Sequence, residues 1–113
     1  MLSFDERPWG KWEEYLNEES YRVKRNIVHP GKRLSLQKHL YRSENWVIVL
    51  GNGVFTLNDI KKDIKTGDVM NIPVNNIHRI ENTGTCDLIF IETQMGKCIE
   101  SDIVRLEDDW GRN

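Results

Sequence analysis

At 113 residues, with 16 basic and 18 acidic side chains for a net charge of −2, the chain is one domain's worth and lacks the basic excess of a nucleic-acid binder. No run approaches the ~20 apolar residues of a membrane span, and the opening MLSFDERPWG has acids where a signal peptide needs a basic and then an apolar stretch. Cys86 and Cys98, with no CxxC and no second pair, read as reduced thiols in a cytoplasm.

Short segments rich in β-branched and aromatic residues predict strands at Lys11–Leu16, Tyr21–His29, Asn45–Leu50, Val54–Leu57, Val69–Ile72, His78–Asn82 and Asp87–Thr93. Turn chemistry separates them, from Pro30-Gly31 and Gly51-Asn52-Gly53 to Thr66-Gly67-Asp68 and Asn82-Thr83-Gly84. Even-spaced short strands predict an all-β barrel or sandwich, with residues 1–113 forming a single domain. Trp46–Leu50, apolar on both faces, predicts a central strand covered on both sides, closed by a tight hairpin onto Val54–Leu57. The charged run Asp59–Lys65 suits an exposed hairpin arm. The ends, Met1–Trp9 and Glu107–Asn113, carry little pattern.

Metal chemistry is signalled by Gln37, His39, Glu44 and His78. On a strand, side chains repeat every two residues, so Arg33, Ser35, Gln37 and His39 are expected on one face and Leu34 and Leu36 on the other. After a break at Leu40–Ser43, the same parity sends Glu44, Trp46 and Ile48 inward, where Glu44 can meet His39. One amide oxygen, two imidazoles and one carboxylate suit a divalent zinc, with manganese, cobalt, nickel or iron as alternatives, better than calcium.

Spacing and framing together resemble the two motifs of the cupin family, G-x5-H-x-H-x3,4-E-x6-G and G-x5-P-x-G-x2-H-x3-N. Gln37 replaces the first histidine and Asn75 replaces the glycine after Pro73. Phosphomannose isomerases are cupins with that glutamine. The chain further resembles the isomerase domain at the C-terminus of type II phosphomannose isomerase/mannose-1-phosphate guanylyltransferase proteins. The matching residues are Arg7-Pro8-Trp9-Gly10, Val23-Lys24-Arg25, the run Pro30 to His39, Arg42-Ser43-Glu44-Asn45-Trp46, His78-Arg79-Ile80-Glu81-Asn82 and the stretch from Asp102 to Arg112. The family's H-H-H becomes His39-Leu40-Tyr41, and its E-H-W becomes Glu44-Asn45-Trp46.

This resemblance implies a double-stranded β-helix, a homodimer, and a metal-dependent isomerase interconverting mannose 6-phosphate and fructose 6-phosphate. Without the nucleotidyltransferase domain that precedes the isomerase domain in that family, guanylyl transfer is expected to be absent, and a separate nucleotidyltransferase is a candidate partner. The losses at Leu40, Tyr41 and Asn45 motivate an alternative, a non-catalytic or regulatory metallo-cupin that binds a sugar phosphate. A non-haem iron oxygenase is a third reading, disfavoured by Gln37 in a fourth position. For phosphate, Arg33, Arg79, Arg105 and Arg112 are nominated, because guanidinium forks match phosphate oxygens. Trp46 is the candidate surface for a sugar ring. The proton-transferring group stays open among Lys24, Glu92 and a hydroxide on the metal, with Arg105 a further catalytic candidate. Trp9 and Trp12 are expected to cover the barrel or a dimer partner.

Overall fold

The computed structural model describes residues 1–111, and over them the chain is strand, turn and loop with no helix. Its strands are β1 (Ser3–Arg7), β2 (Gly10–Asn17), β3 (Tyr21–Val28), β4 (Leu36–Lys38), β5 (Arg42–Leu50), β6 (Asn52–Leu57), β7 (Ile60–Lys65), β8 (Val69–Ile72), β9 (His78–Asn82), β10 (Leu88–Gly96) and β11 (Val104–Glu107). They form two antiparallel sheets, in the orders β1-β2-β3-β10-β5-β8 and β11-β4-β9-β6-β7. One core joins them: Val28, Trp46, Ile48, Met70, Ile72, Leu88 and Phe90 from the larger sheet meet Leu34, Phe55, Ile64 and Ile80 from the smaller side. Each such side chain taken from water contributes about 1.5–3 kcal/mol.

Register turns the inward face of the larger sheet into layers. Val28 pairs with Leu88, and Phe90 lies between Asn26 and Ile48. One step further along, Glu92 lies between Lys24 and Trp46; one step beyond that, Gln94 lies between Arg22 and Glu44. The same three strands therefore bury apolar residues at one end and ionisable residues at the other. Alternation alone does this, since β3, β5 and β10 each bury every second residue.

Several expectations are corrected. Val54–Leu57 does not form a hairpin with Asn45–Leu50, because β6 pairs with β7 and β9 in the opposite sheet. Gly51 carries the chain across between sheets at φ 91°, and a Cβ there would meet the Asp87 carbonyl oxygen at 2.7 Å. Nor is β5 covered on both sides: Trp46 and Ile48 are buried, but Val49 points outward and is 44% exposed.

The parity drawn through Arg33 also fails. Regular strand begins only at Leu36, so Leu34 and Ser35 are both buried, while Arg33 bridges to Glu81 on the outer side. Sequence patterning missed β1 and β11, which are short or mostly exposed, and of the strand expected through Arg33–His39 only β4 is regular. The charged arm is as expected: β7 is an edge strand exposed everywhere except Ile64. No helix of the described residues is long and apolar enough to cross a membrane.

Candidate metal centre

The polar layers open into a cavity of about 410 Å³ whose wall includes Lys24, Gln37, His39, Arg42, Glu44, Trp46, Glu92 and Arg105. Three elements bring the ligand set together. His39 directly follows β4, Glu44 comes from β5 and His78 opens β9, and their donor atoms lie within 4.8 Å of one another. All three residues are buried, and the two imidazole centroids are 5.1 Å apart. The parity argument for Glu44 is borne out, for its Oε2 lies 3.1 Å from His39 Nε2.

Both imidazoles are fixed from behind by backbone carbonyls. His39 Nδ1 lies 2.7 Å from the Asp102 carbonyl oxygen, and His78 Nδ1 lies 3.0 Å from that of Asn76. Each Nδ1 therefore carries the proton and donates, which leaves the Nε2 lone pairs turned toward Glu44. Burial, reinforced by Arg42, lowers the pKa of His39; burial, reinforced by His39, takes His78 down to about 4. Both rings are thus neutral near pH 7, as metal coordination requires.

His78 supplies the test of fit. Its Nε2 is buried and has no hydrogen-bond partner among the described residues, which costs about 1–3 kcal/mol if nothing satisfies it. A divalent cation between His39, Glu44 and His78 would satisfy this nitrogen and share the Glu44 carboxylate with Arg42. The residues present fit such an ion. Two nitrogens and a carboxylate leave further coordination positions for a ligand.

Arg42, which the sequence reading did not single out, is part of this centre. It shares the inward parity of Glu44, donates from Nε to Glu44 Oε2 at 2.7 Å, and brings Nη2 to 3.4 Å from His39 Nε2. Its Nη1 is anchored on the Ile99 carbonyl oxygen at 3.1 Å. Trp46 lines the cavity but is only 1% exposed: its ring stacks on Phe90 at 4.3 Å, and its Nε1 donates to Glu44 Oε1 at 2.9 Å. It thereby holds the carboxylate in place.

Gln37 is buried and faces the same cavity, directly across from His78 in the β4–β9 ladder. Lys24 is also in the wall, held by Glu100 and by the ring of Trp12, whose centroid is 4.0 Å from Nζ. Glu92 accepts from Asn26 at 2.9 Å and from Gln94 at 2.7 Å, and burial followed by the nearby Glu44 raises its pKa. Trp9 is in the core and Trp12 lines the cavity.

The arginines divide. Arg105 reaches the cavity, but Arg33 and Arg79 do not: they line a second hollow of about 300 Å³ that also takes in Thr56, Lys61 and Glu107. There Arg33 forms a two-point contact with Asp109 at 2.6 and 2.7 Å, and Arg79 donates to Leu34 O and Glu107 Oε1 at 2.9 and 2.8 Å. Arg112 lies outside the described residues. The departures at Leu40, Tyr41 and Asn45 fall outside the cavity wall, and Asn75 adopts the left-handed φ of 67° that explains a glycine at the matching position of the motif.

Two facing antiparallel sheets enclosing a His-Glu-His centre define a cupin with a candidate metal site. Solved structures agree on the fold: the capsular polysaccharide assembling protein CapF of Staphylococcus aureus superimposes with a TM-score of 0.82 at 24% identity, over 95% of this chain and 34% of that one. The cupin domain of Schizosaccharomyces pombe Cnp3 does so with a TM-score of 0.74 at 20% identity, over 76% of this chain and 64% of that one. Residues 3–108 match the family described as mannose-6-phosphate isomerase C-terminal, and the chain belongs to it.

The relative named mannose-1-phosphate guanylyltransferase ManC, from Salmonella typhimurium, is 41% identical over 107 residues, which are 94% of this chain and 22% of that protein. The chain thus spans about a fifth of the length of such relatives. They are enzymes by name, and the name corrects one expectation. Interconversion of mannose 6-phosphate and fructose 6-phosphate does not stand as this chain's activity, because these relatives are named for guanylyl transfer and not for isomerisation.

Proposed function

We propose that this chain is the metal-holding cupin component of a mannose-phosphate activating system, and that it binds a mannose phosphate in the 410 Å³ cavity. The observation that carries this reading is the pair of imidazoles whose Nε2 atoms are turned, by carbonyl anchors on Nδ1, toward a buried carboxylate. The name carried by the relatives, mannose-1-phosphate guanylyltransferase, supports the choice of a mannose phosphate as ligand and of a guanylyltransferase as working partner.

His39, Glu44 and His78 hold the ion, with the Gln37 amide as a fourth donor; zinc, manganese, cobalt, nickel and iron all match the donor set. A divalent ion held by these residues would supply Lewis-acid polarisation of a sugar oxygen. Arg42 neutralises Glu44 and offers its remaining N–H groups to the ligand, and Arg105 adds a second guanidinium from β11. Chains pair as a homodimer through the outer face of β1–β3, where Phe4, Tyr15, Leu16 and Tyr21 are exposed.

The test is calorimetric titration of zinc-, manganese- and cobalt-loaded protein with mannose 1-phosphate and mannose 6-phosphate, against a chelated control. Binding that needs the metal and is lost in His78→Ala supports the reading. Binding indifferent to chelation, or no binding with any metal in folded protein, overturns it.

A further inference from the structure

Two buried cations on the inward face of β3 are closed off by a carboxylate from an exposed loop. Arg22 and Lys24 are both buried, and Arg22 Nη1, at 3.0 Å, and Lys24 Nζ donate to the same atom, Glu100 Oε1. Glu100 belongs to the segment 97–103 between β10 and β11, and its side chain is 48% exposed. Burial works against its charge, but Lys24 and then Arg22 hold its carboxyl below the usual range. The other partners of the two cations sit on strands: buried Glu14 on β2 takes Arg22 Nη2, and the Trp12 ring lies beside Lys24.

Lys24 and Glu100 share the cavity wall with His39 and Glu44. A buried cation without its counter-charge is strongly unfavourable. If Glu100 swung outward, Arg22 would keep Glu14 but Lys24 would lose its hydrogen-bonded carboxylate, which favours an incoming anion.

We propose that Arg22 and Lys24 form the seat for the phosphate group of the cavity's ligand, and that Glu100 is an internal stand-in for that group, displaced when ligand enters. The identity of the sugar rests on the function proposed above; the seat rests on these three side chains. A phosphate monoester is the anion class that fits. Glu100 is tethered and so competes at high effective concentration, which an external monoanion does not overcome. A phosphate monoester brings a charge of about −1.5 to −2 and three acceptor oxygens, enough to engage Arg22 Nη1 and Lys24 Nζ at once.

Displacement would also be felt at the metal. The same loop segment supplies the Asp102 carbonyl that fixes His39 and the Ile99 carbonyl that anchors Arg42.

The decisive comparison is Glu100→Gln against the parent, both metal-loaded, titrated with inorganic phosphate, mannose 1-phosphate and unphosphorylated mannose. The variant binds phosphate and mannose 1-phosphate at least ~10-fold more tightly, gains nothing for mannose, and loses the gain when Lys24→Met is added. Its melting temperature is lower than the parent's without phosphate and rises more on adding phosphate, which separates an emptied seat from a damaged fold. Phosphate affinity unchanged in Glu100→Gln, or a gain that survives Lys24→Met, overturns the seat. A phosphate gain with no preference for mannose phosphates over inorganic phosphate leaves the seat standing and removes the sugar assignment.

Discussion

Arg105 of β11 lies opposite Gln37 of β4, and Gln37 lies opposite His78 of β9, so one row across the smaller sheet joins the C-terminal strand to a metal-site histidine. β11 itself is short and largely exposed. What keeps it on the sheet is the outer latch in which Arg79 grips Leu34 O and Glu107 while Arg33 grips Asp109. Replacing Arg79 with Met should destabilise the fold by about 1–3 kcal/mol, because Arg79 is buried and bonded to a charged group. Hydrogen exchange at Val104–Glu107 should rise while zinc stoichiometry is retained; unchanged exchange there would rule out the latch.

Removing a ligand should be read first as loss of metal. Parent protein is expected to hold one zinc per chain by elemental analysis, and His78→Ala to hold none after dialysis. The fold should survive, since the site lies at the polar end of the layers and the apolar end is untouched.

Trp46→Phe keeps most of the ring but deletes the N–H that orients Glu44. Metal affinity should fall about 10–100-fold, the usual effect of losing a partner behind a ligand. Competition with a fluorescent chelator measures it, and an affinity equal to the parent's would show that Trp46 acts by packing alone.

In metal-free protein, His78 sets a pH dependence with a definite sign. Its folded pKa of about 4 lies below the ordinary histidine value of 6.5, so between these limits the unfolded chain binds more protons. Its stabilising share is whole above about pH 6.5 and is lost as pH falls toward 4, amounting to at most about 3 kcal/mol. Urea unfolding at pH 7.5 and pH 5 should show the drop in parent and a smaller one in His78→Ala.

Much of this was legible before any coordinates. Alternation placed Glu44 beside His39, the glycine-framed spacing brought in His78, and β-branched runs marked the strands that bury the most. Other features were hidden for physical reasons. Arg42 sits in what reads as a loop between motif residues, and only the start of β5 at that position turns it inward. Arg33 shares parity with Gln37 on paper, but parity holds only along continuous strand, and none links the two. Glu100 lies on an exposed loop, where sequence pattern carries no information about a distant pair such as Arg22 and Lys24. The Gly51 turn resembled hairpin chemistry because glycine permits many turns, and the pairing of β6 with β9 rather than β5 is a long-range contact that local turn chemistry does not encode.

The layered pairing of β10 between β3 and β5 makes the metal centre a proofreader of strand register. A slip of β10 by one residue would turn Glu92 and Gln94 outward and bring Ile91 and Thr93 beneath Glu44 and Lys24. That misaligned sheet would bury Lys24 and Arg42 without the carboxylate between them, and it would spoil the cavity in which metal binds. Ion capture therefore rewards a single alignment of the central strands. The buried Leu88 and Phe90 of the same strand enforce that alignment with or without the ion, so the metal adds to a register that the core already sets.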